Sequence, residues 1–207
     1  MDQFLRVTEI IDWTHPAVFW KAKELTKNTT DVHEIVRRCF EWVRDSIQHS
    51  ADLQRNPVTC SASQVLASGT GYCYAKSHLL ASLLRANRIP VGFCYQRLSI
   101  DETGPPYCLH SLNAVHLPEF GWYRVDSRGN KPGVNAQFSP PTEKLAFRLS
   151  FSEERNFPEV LSDPLPVVAT TLRKYSTWDA LYNNLPDWDS PSLPGSAASW
   201  RAQAESS

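Results

Sequence analysis

Apolar residues recur at helical spacing in two long stretches of this chain and give way to strand-like runs in a third. Over 32–47, Val32, Ile35, Val36, Cys39, Phe40, Val43 and Ile47 share one face, while Glu34, Arg37, Arg38, Glu41, Arg44 and Asp45 occupy the other. That pattern predicts an amphipathic helix with Asp31 as its N-cap. Over 73–87, Ala75, Leu79, Leu80, Leu83 and Leu84 form a broader stripe, from which Lys76 and Arg85 are expected to point away. A helix this apolar belongs at the centre of a fold. Then 91–98, 107–117 and 122–126 read as strands of an antiparallel meander, divided by Gly-Pro-Pro and Pro-Glu-Phe-Gly turns.

Weaker patterns fill the rest. A helix is expected over 15–28 with Pro16 in its first turn, and a short helical piece over 64–67 capped by Ser61 or Ser63. The apolar lead before His15 reads as an edge strand, 134–138 and 165–169 as further strands, and 171–185 as a last helix. From Pro186 onward Asp, Ser, Pro, Gly and Ala dominate. The expected architecture is therefore α+β, one domain over 1–186 followed by a mobile tail over 187–207, with a central helix packed on an antiparallel sheet.

Composition narrows the function. At 207 residues, 42% hydrophobic and 21% charged, the chain can bury a full core. Its formal net charge is −1 and its Lys and Arg are dispersed, which argues against a nucleic-acid partner. No basic leader and no apolar run of about 18 residues is visible, so no membrane association is expected and the cytoplasm is the expected location. Cys39, Cys60, Cys73, Cys94 and Cys108 are odd in number, which fits reduced thiols better than a disulfide framework. Cys108, His110 and His116 share a strand parity, but no paired CxxC or HxxxH spacing accompanies them, and no acidic loop suits calcium; no metal or other cofactor is expected.

The candidate chemistry centres on Cys73, which follows Gly69-Thr70-Gly71-Tyr72 and opens the apolar helix. A helix N-terminus favours a thiolate, and the Cys73 backbone N–H can donate to an oxyanion. Such a thiolate needs a base and a group to orient it, and the following hairpin supplies His110 and Asp126. Register tests the set. If the turn places Leu117 opposite Gly121, Asp126 falls opposite Leu112, on the face that His110 occupies; a slip of one residue separates them. His116 has the same parity, but His110 lies nearer the sheet centre. His15, His33, His49 and His78 read as structural or solvated. Gln54, in the loop before the helix, is the side chain chosen as second oxyanion donor. Tyr72, Tyr74, Tyr107, Trp122 and Tyr123 suit either a peptide groove or the core, and Arg128 suits either a substrate carboxylate or an acidic neighbour.

On Gly69-Thr70-Gly71-Tyr72-Cys73-Tyr74-Ala75-Lys76, His110-Ser111-Leu112-Asn113-Ala114-Val115 and Gly121-Trp122-Tyr123-Arg124-Val125-Asp126, the chain resembles the transglutaminase-like superfamily. Its members share a papain-like Cys-His-Asp core in this order, and the likeness, over residues 30–130, is to the small prokaryotic-type members. It implies Cys73 as nucleophile, His110 as general base and acid, and Asp126 as the orienting carboxylate. Many relatives follow the histidine with Ala-Trp, whereas Ser111-Leu112 stands here, so the wall of an acyl pocket cannot be copied across. The implied activity is hydrolysis or acyl transfer at an amide bond of a peptide-like substrate through a Cys73 thioester. Two alternatives remain: a peptide-binding module without catalysis on the same fold, and a biosynthetic amide-forming acyltransferase. Oligomeric state is left open.

Overall fold

The computed structural model describes residues 1–101, 103–194 and 198–199. Among these, the elements run α1 (Pro16–Leu25), α2 (Val32–Ser46), β1 (Gln48–His49), α3 (Ala62–Ser68), β2 (Thr70–Gly71), α4 (Cys73–Ala86), β3 (Val91–Ser99), β4 (Tyr107–Leu117), β5 (Gly121–Val125), β6 (Arg155–Asn156), β7 (Glu159–Val160), α5 (Pro166–Lys174), α6 (Trp178–Tyr182) and β8 (Ala198–Ser199). The main sheet is antiparallel in the order β5-β4-β3-β6. The expected α+β class, with a cysteine-bearing helix against an antiparallel sheet, is the observed one.

The helices begin where local chemistry lets them. Asp31 caps α2 by accepting the His33 and Glu34 N–H groups at 3.3 and 3.2 Å. Ser61 and Gln64 form a capping box that starts α3 at Ala62, two residues earlier than its apolar pattern suggests, and Gly69 ends it at φ 65°. Every residue of α4 is buried, because α1, α2 and α3 pack on one side of it and β3 and β4 on the other. Lys76 and Arg85, expected to point outward, are therefore enclosed. The Lys76 ammonium donates to the Arg44 and Ile47 carbonyls, and the Arg85 guanidinium donates to those of Arg6, Val91 and Ser162. Backbone oxygens meet the Lys76 ammonium and both terminal nitrogens of Arg85, although Arg85 Nε has no partner, and this pairing makes the burial tolerable.

The β4–β5 hairpin has the expected register, with Leu117 opposite Gly121 and Asn113 opposite Val125. The faces differ from expectation in one respect. Ser111, not His110, meets the flank of α4, through a 2.9 Å hydroxyl contact with Ser77, while Leu112 and Ala114 join Phe4, Cys94 and Val160 on the far face.

Other segments depart further from their patterns. Residues Asp2–Leu5 form a 3-10 turn instead of an edge strand, and Phe4 plugs the second cluster. Residues 131–144 make only isolated bridges, Lys131 with Val134 and Gln137 with Lys144, so the strand expected at 134–138 is absent. The strand expected at 165–169 is the start of α5, where Pro166 takes the first helical position and Leu165, Val168 and Leu172 point inward. The last helix, expected over 171–185, is interrupted at 175–177. The chain also stays on the body past residue 186: Pro186 accepts the Leu109 N–H, Asp187 and Asp189 meet Arg97, and Leu193 is buried. The remainder of the expected tail, apart from β8, lies outside the described residues. No helix among the described residues is long and apolar enough to cross a membrane.

Candidate active site

Cys73 is placed by two short parallel strands ahead of it. Gln48 donates to Gly69 and Ser50 to Gly71, which sets His49 opposite Gly71 and turns the chain directly into α4. Gly71 sits in close quarters: a Cβ there would lie 3.1 Å from the Ala75 Cβ and 3.2 Å from the Thr59 Oγ1, so those neighbours would have to shift by a few tenths of an ångström. The N-cap residue, Tyr72, makes no side-chain cap, so the first N–H groups of α4, that of Cys73 among them, carry no capping side chain.

His110 meets that helix end. Its Nε2 lies 2.8 Å from Asp126 Oδ2, which leaves the other ring nitrogen free, and His110 and Cys73 line the same cleft. Asp126, fully buried, also accepts the Arg128 N–H on Oδ1 and the Ala146 N–H on Oδ2, each at 3.1 Å. Burial opposes charge on His110, yet Asp126 and then Cys73 outweigh it and carry the imidazole up to about 10. Burial likewise opposes the Asp126 carboxylate, and His110 with the two backbone donors holds it below its ordinary value. Burial pushes the Cys39, Cys94 and Cys108 thiols up to about 12. All five cysteines are free.

A segment without sequence periodicity locks this pair in place. Glu143 accepts the backbone and guanidinium of Arg124, the Tyr123 hydroxyl donates to the Thr142 carbonyl, and three residues after Glu143 the Ala146 N–H reaches Asp126. The Phe147 ring then stands edge-on to His110 at 5.0 Å, under the Arg128 guanidinium. Nothing in the spacing of 139–148 announces these roles.

Cys73 and His110 open onto a cleft of about 900 Å³, with Asp126 buried behind the imidazole. Tyr72 and Tyr74 line it, with their hydroxyls tied to the Trp178 and Leu109 carbonyls. Tyr107 and Trp122, proposed for the same groove, do not. Tyr107 packs beneath Arg97 and donates to Glu153, and Trp122 packs between Phe4 and His116 at the opposite end of β4. His116 is accordingly outside the site. Tyr123 is buried against Phe138. Gln54 lines the cleft but is exposed, in a left-handed turn position. Arg128 resolves toward an acidic neighbour, pairing with Asp52 at 2.7 and 2.8 Å, and Lys131 joins the same carboxylate. His49, read from sequence as structural or solvated, also lines the cleft, edge-on to Tyr72. Among the described residues no group of three or more His, Cys, Asp or Glu side chains is arranged to hold a metal ion.

A family model described as the transglutaminase-like superfamily matches residues 21–127, just over half of the chain and all of the hairpin and helix described above. The chain belongs to the transglutaminase-like superfamily. Among solved structures, a candidate cysteine protease from Cytophaga hutchinsonii superposes with a TM-score of 0.50 at 16% identity, over 60% of this chain and 40% of that one. The periplasmic domain of TgpA from Pseudomonas aeruginosa gives 0.44 at 19% identity, over 60% of this chain and 45% of that one. The chain thus spans less than half the length of either neighbour, and at these identities the likeness is one of fold. No curated protein matches the sequence. Membership in the transglutaminase-like superfamily supports the general kind, a cysteine-dependent enzyme, and no particular activity or substrate.

Proposed function

We propose that the protein is a cysteine acyltransferase or hydrolase that cleaves an amide bond of a peptide-like substrate through a Cys73 thioester. One observation carries this reading: the cysteine at an uncapped helix start shares a cleft with an imidazole whose Nε2 is held 2.8 Å from a fully buried carboxylate. In the proposed sequence the nucleophile is the thiolate of a Cys73–His110 ion pair, the imidazolium already holding the proton, and the sulfur attacks the carbonyl carbon as the carbonyl electron pair moves onto oxygen. The tetrahedral oxyanion collapses, the C–N bond breaks, and the imidazolium returns the proton to the leaving amine. Water or a second amine then attacks the thioester, giving its proton to His110, and the S–C bond breaks to restore the thiolate beside the imidazolium. Asp126 fixes the ring and stabilises its charge. Five free thiols support a reducing compartment such as the cytoplasm.

The test is competitive alkylation followed by acylation. At pH 6, iodoacetamide should modify Cys73 at least tenfold faster than Cys39 or Cys94, whose thiols burial pushes up to about 12, and His110→Gln should remove the difference. Intact mass spectrometry after incubation with a library of peptide thioesters should then show an acyl adduct on Cys73. Equal, slow labelling of all three thiols with no adduct would instead favour a binding module without catalysis. An adduct that an added amine discharges, but water does not, would mark an amide-forming enzyme.

A further inference from the structure

Resting on the acyl-transfer reading, we infer that His49 supplies the second oxyanion donor, with Nε2–H aimed at the carbonyl oxygen that Cys73 attacks, and that Gln54 does not. The starting point is an imidazole that makes no hydrogen bond to the protein. The His49 side chain is 10% exposed and lines the cleft, yet neither ring nitrogen makes a hydrogen bond. Buried polar side chains are almost always satisfied, and an exception inside a cleft calls for a partner that arrives with the substrate.

The ring has one proton to place when neutral. Nδ1 is the enclosed nitrogen; its nearest acid, Asp52 Oδ2, is 3.5 Å away, beyond a hydrogen bond, and that carboxylate is already engaged by Arg128 and Lys131. A proton on Nδ1 would have only that long contact to a carboxylate already taken up by two cations, so the neutral ring can place its proton on Nε2, the nitrogen left to the cleft, when a substrate oxygen arrives there. Burial first, then the Arg128 and Lys76 cations, hold His49 well below its ordinary 6.5, so it stays neutral across the working range. A neutral imidazole in such a setting is a poor base and a capable donor.

Placement agrees. His49 pairs with Gly71 across the β1–β2 bridge, two residues before Cys73, and the Ser50 and Thr70 hydroxyls lock that bridge at 3.0 Å. The ring is therefore held by strand pairing beside the uncapped start of α4, whose N–H groups form the other half of the pocket. Gln54 has neither burial nor a hydrogen bond to fix it, and a donor that must be ordered at the moment of reaction forfeits most of its advantage.

The test separates oxyanion stabilisation from activation of the thiol. Alkylation by iodoacetamide displaces iodide at a tetrahedral carbon and forms no oxyanion. Attack on p-nitrophenyl acetate does form one, with the S–C bond made, the C–O bond broken and p-nitrophenolate released. Wild-type protein must first release p-nitrophenolate and gain an acetyl group on Cys73; if it does neither, the acyl-transfer reading fails and this inference with it. Given that activity, His49→Phe, which keeps an aromatic ring against Tyr72, should slow acylation by about 100- to 1,000-fold, with KM and the alkylation rate of Cys73 nearly unchanged. His49→Gln, which retains an N–H donor, should recover at least a tenfold part of the loss, and Gln54→Ala should change the rate less than threefold. An acylation rate within threefold of wild type in His49→Phe would overturn the assignment. So would an equal fall in alkylation and acylation in both His49 variants, because that pattern belongs to a residue that activates or merely positions the thiol.

Discussion

Asp126 and His110 hold opposite charges where both are buried at the wall of the cleft, so each depends on the other for its ionisation. Asp126 lies below its ordinary 3.8, through the pairing that overcomes burial, and His110 lies above its ordinary 6.5. The carboxylate's contribution to stability is therefore present above about pH 3.8 and lost as the pH falls below it. The imidazolium's contribution is complete below 6.5 and lost as the pH climbs toward about 10. A double-mutant cycle of Asp126→Asn and His110→Gln, read by urea unfolding, should give about 1–3 kcal/mol of coupling near pH 5.5 and progressively less toward pH 10. Coupling that grows over that range would reverse the assigned signs. The two residues were legible in the sequence because chemistry and strand register pointed to them together. His49, Glu143 and Phe147 were not, since each acquires its place from a bridge or loop closure that leaves no periodic trace.

At the scale of elements, the long periodic stretches were read well and the short ones poorly. Helices α2 and α4 follow from apolar spacing because their burial is decided by many residues acting together. Helix α5 was misread because Val167 and Val168 suggest a strand, whereas Pro166 at the first helical position and the inward set Leu165, Val168 and Leu172 decide for a helix. The role of Gly92 was equally hidden. It lies within β3 beside β7, where a Cβ would fall 2.3 Å from the Val160 Cγ1, 2.9 Å from the Leu161 carbonyl oxygen and 3.2 Å from Phe4. The carbonyl cannot retreat without disturbing the reciprocal Phe93–Leu161 backbone bonds of 2.7 and 2.9 Å. Gly92→Ala should thus lower stability by about 1–3 kcal/mol in chemical denaturation, the usual cost of overpacking. A change below about 0.5 kcal/mol would mean that the β3–β7 contact yields freely.

For the molecule as a whole, the segment after residue 186 changes what counts as the folded unit. Its composition suggests a tail, yet it carries the partners of a cation that cannot stand alone: Arg97 is 8% exposed, and its Nε and Nη2 reach Asp187 at 2.8 and 2.7 Å. The guanidinium also covers Tyr107, beside the Leu109 N–H that closes on Pro186. Leu193 is buried, and its N–H donates to Glu159 at 3.1 Å on the strand that β8 pairs. Removing residues 187–207 would leave Arg97 half-enclosed without its carboxylate and expose the surface beneath Leu193. The Leu193 burial contributes about 2 kcal/mol, and the Arg97–Asp187 pair, discounted because Asp187 is partly solvated, about 1 kcal/mol more. Deletion of 187–207 should therefore lower unfolding stability by about 2–4 kcal/mol. It should also weaken acylation of Cys73, because Leu185 and the start of β4 wall the cleft that this segment clamps. A truncated chain with full stability and full acylation would show that the segment rests on the body without supporting it.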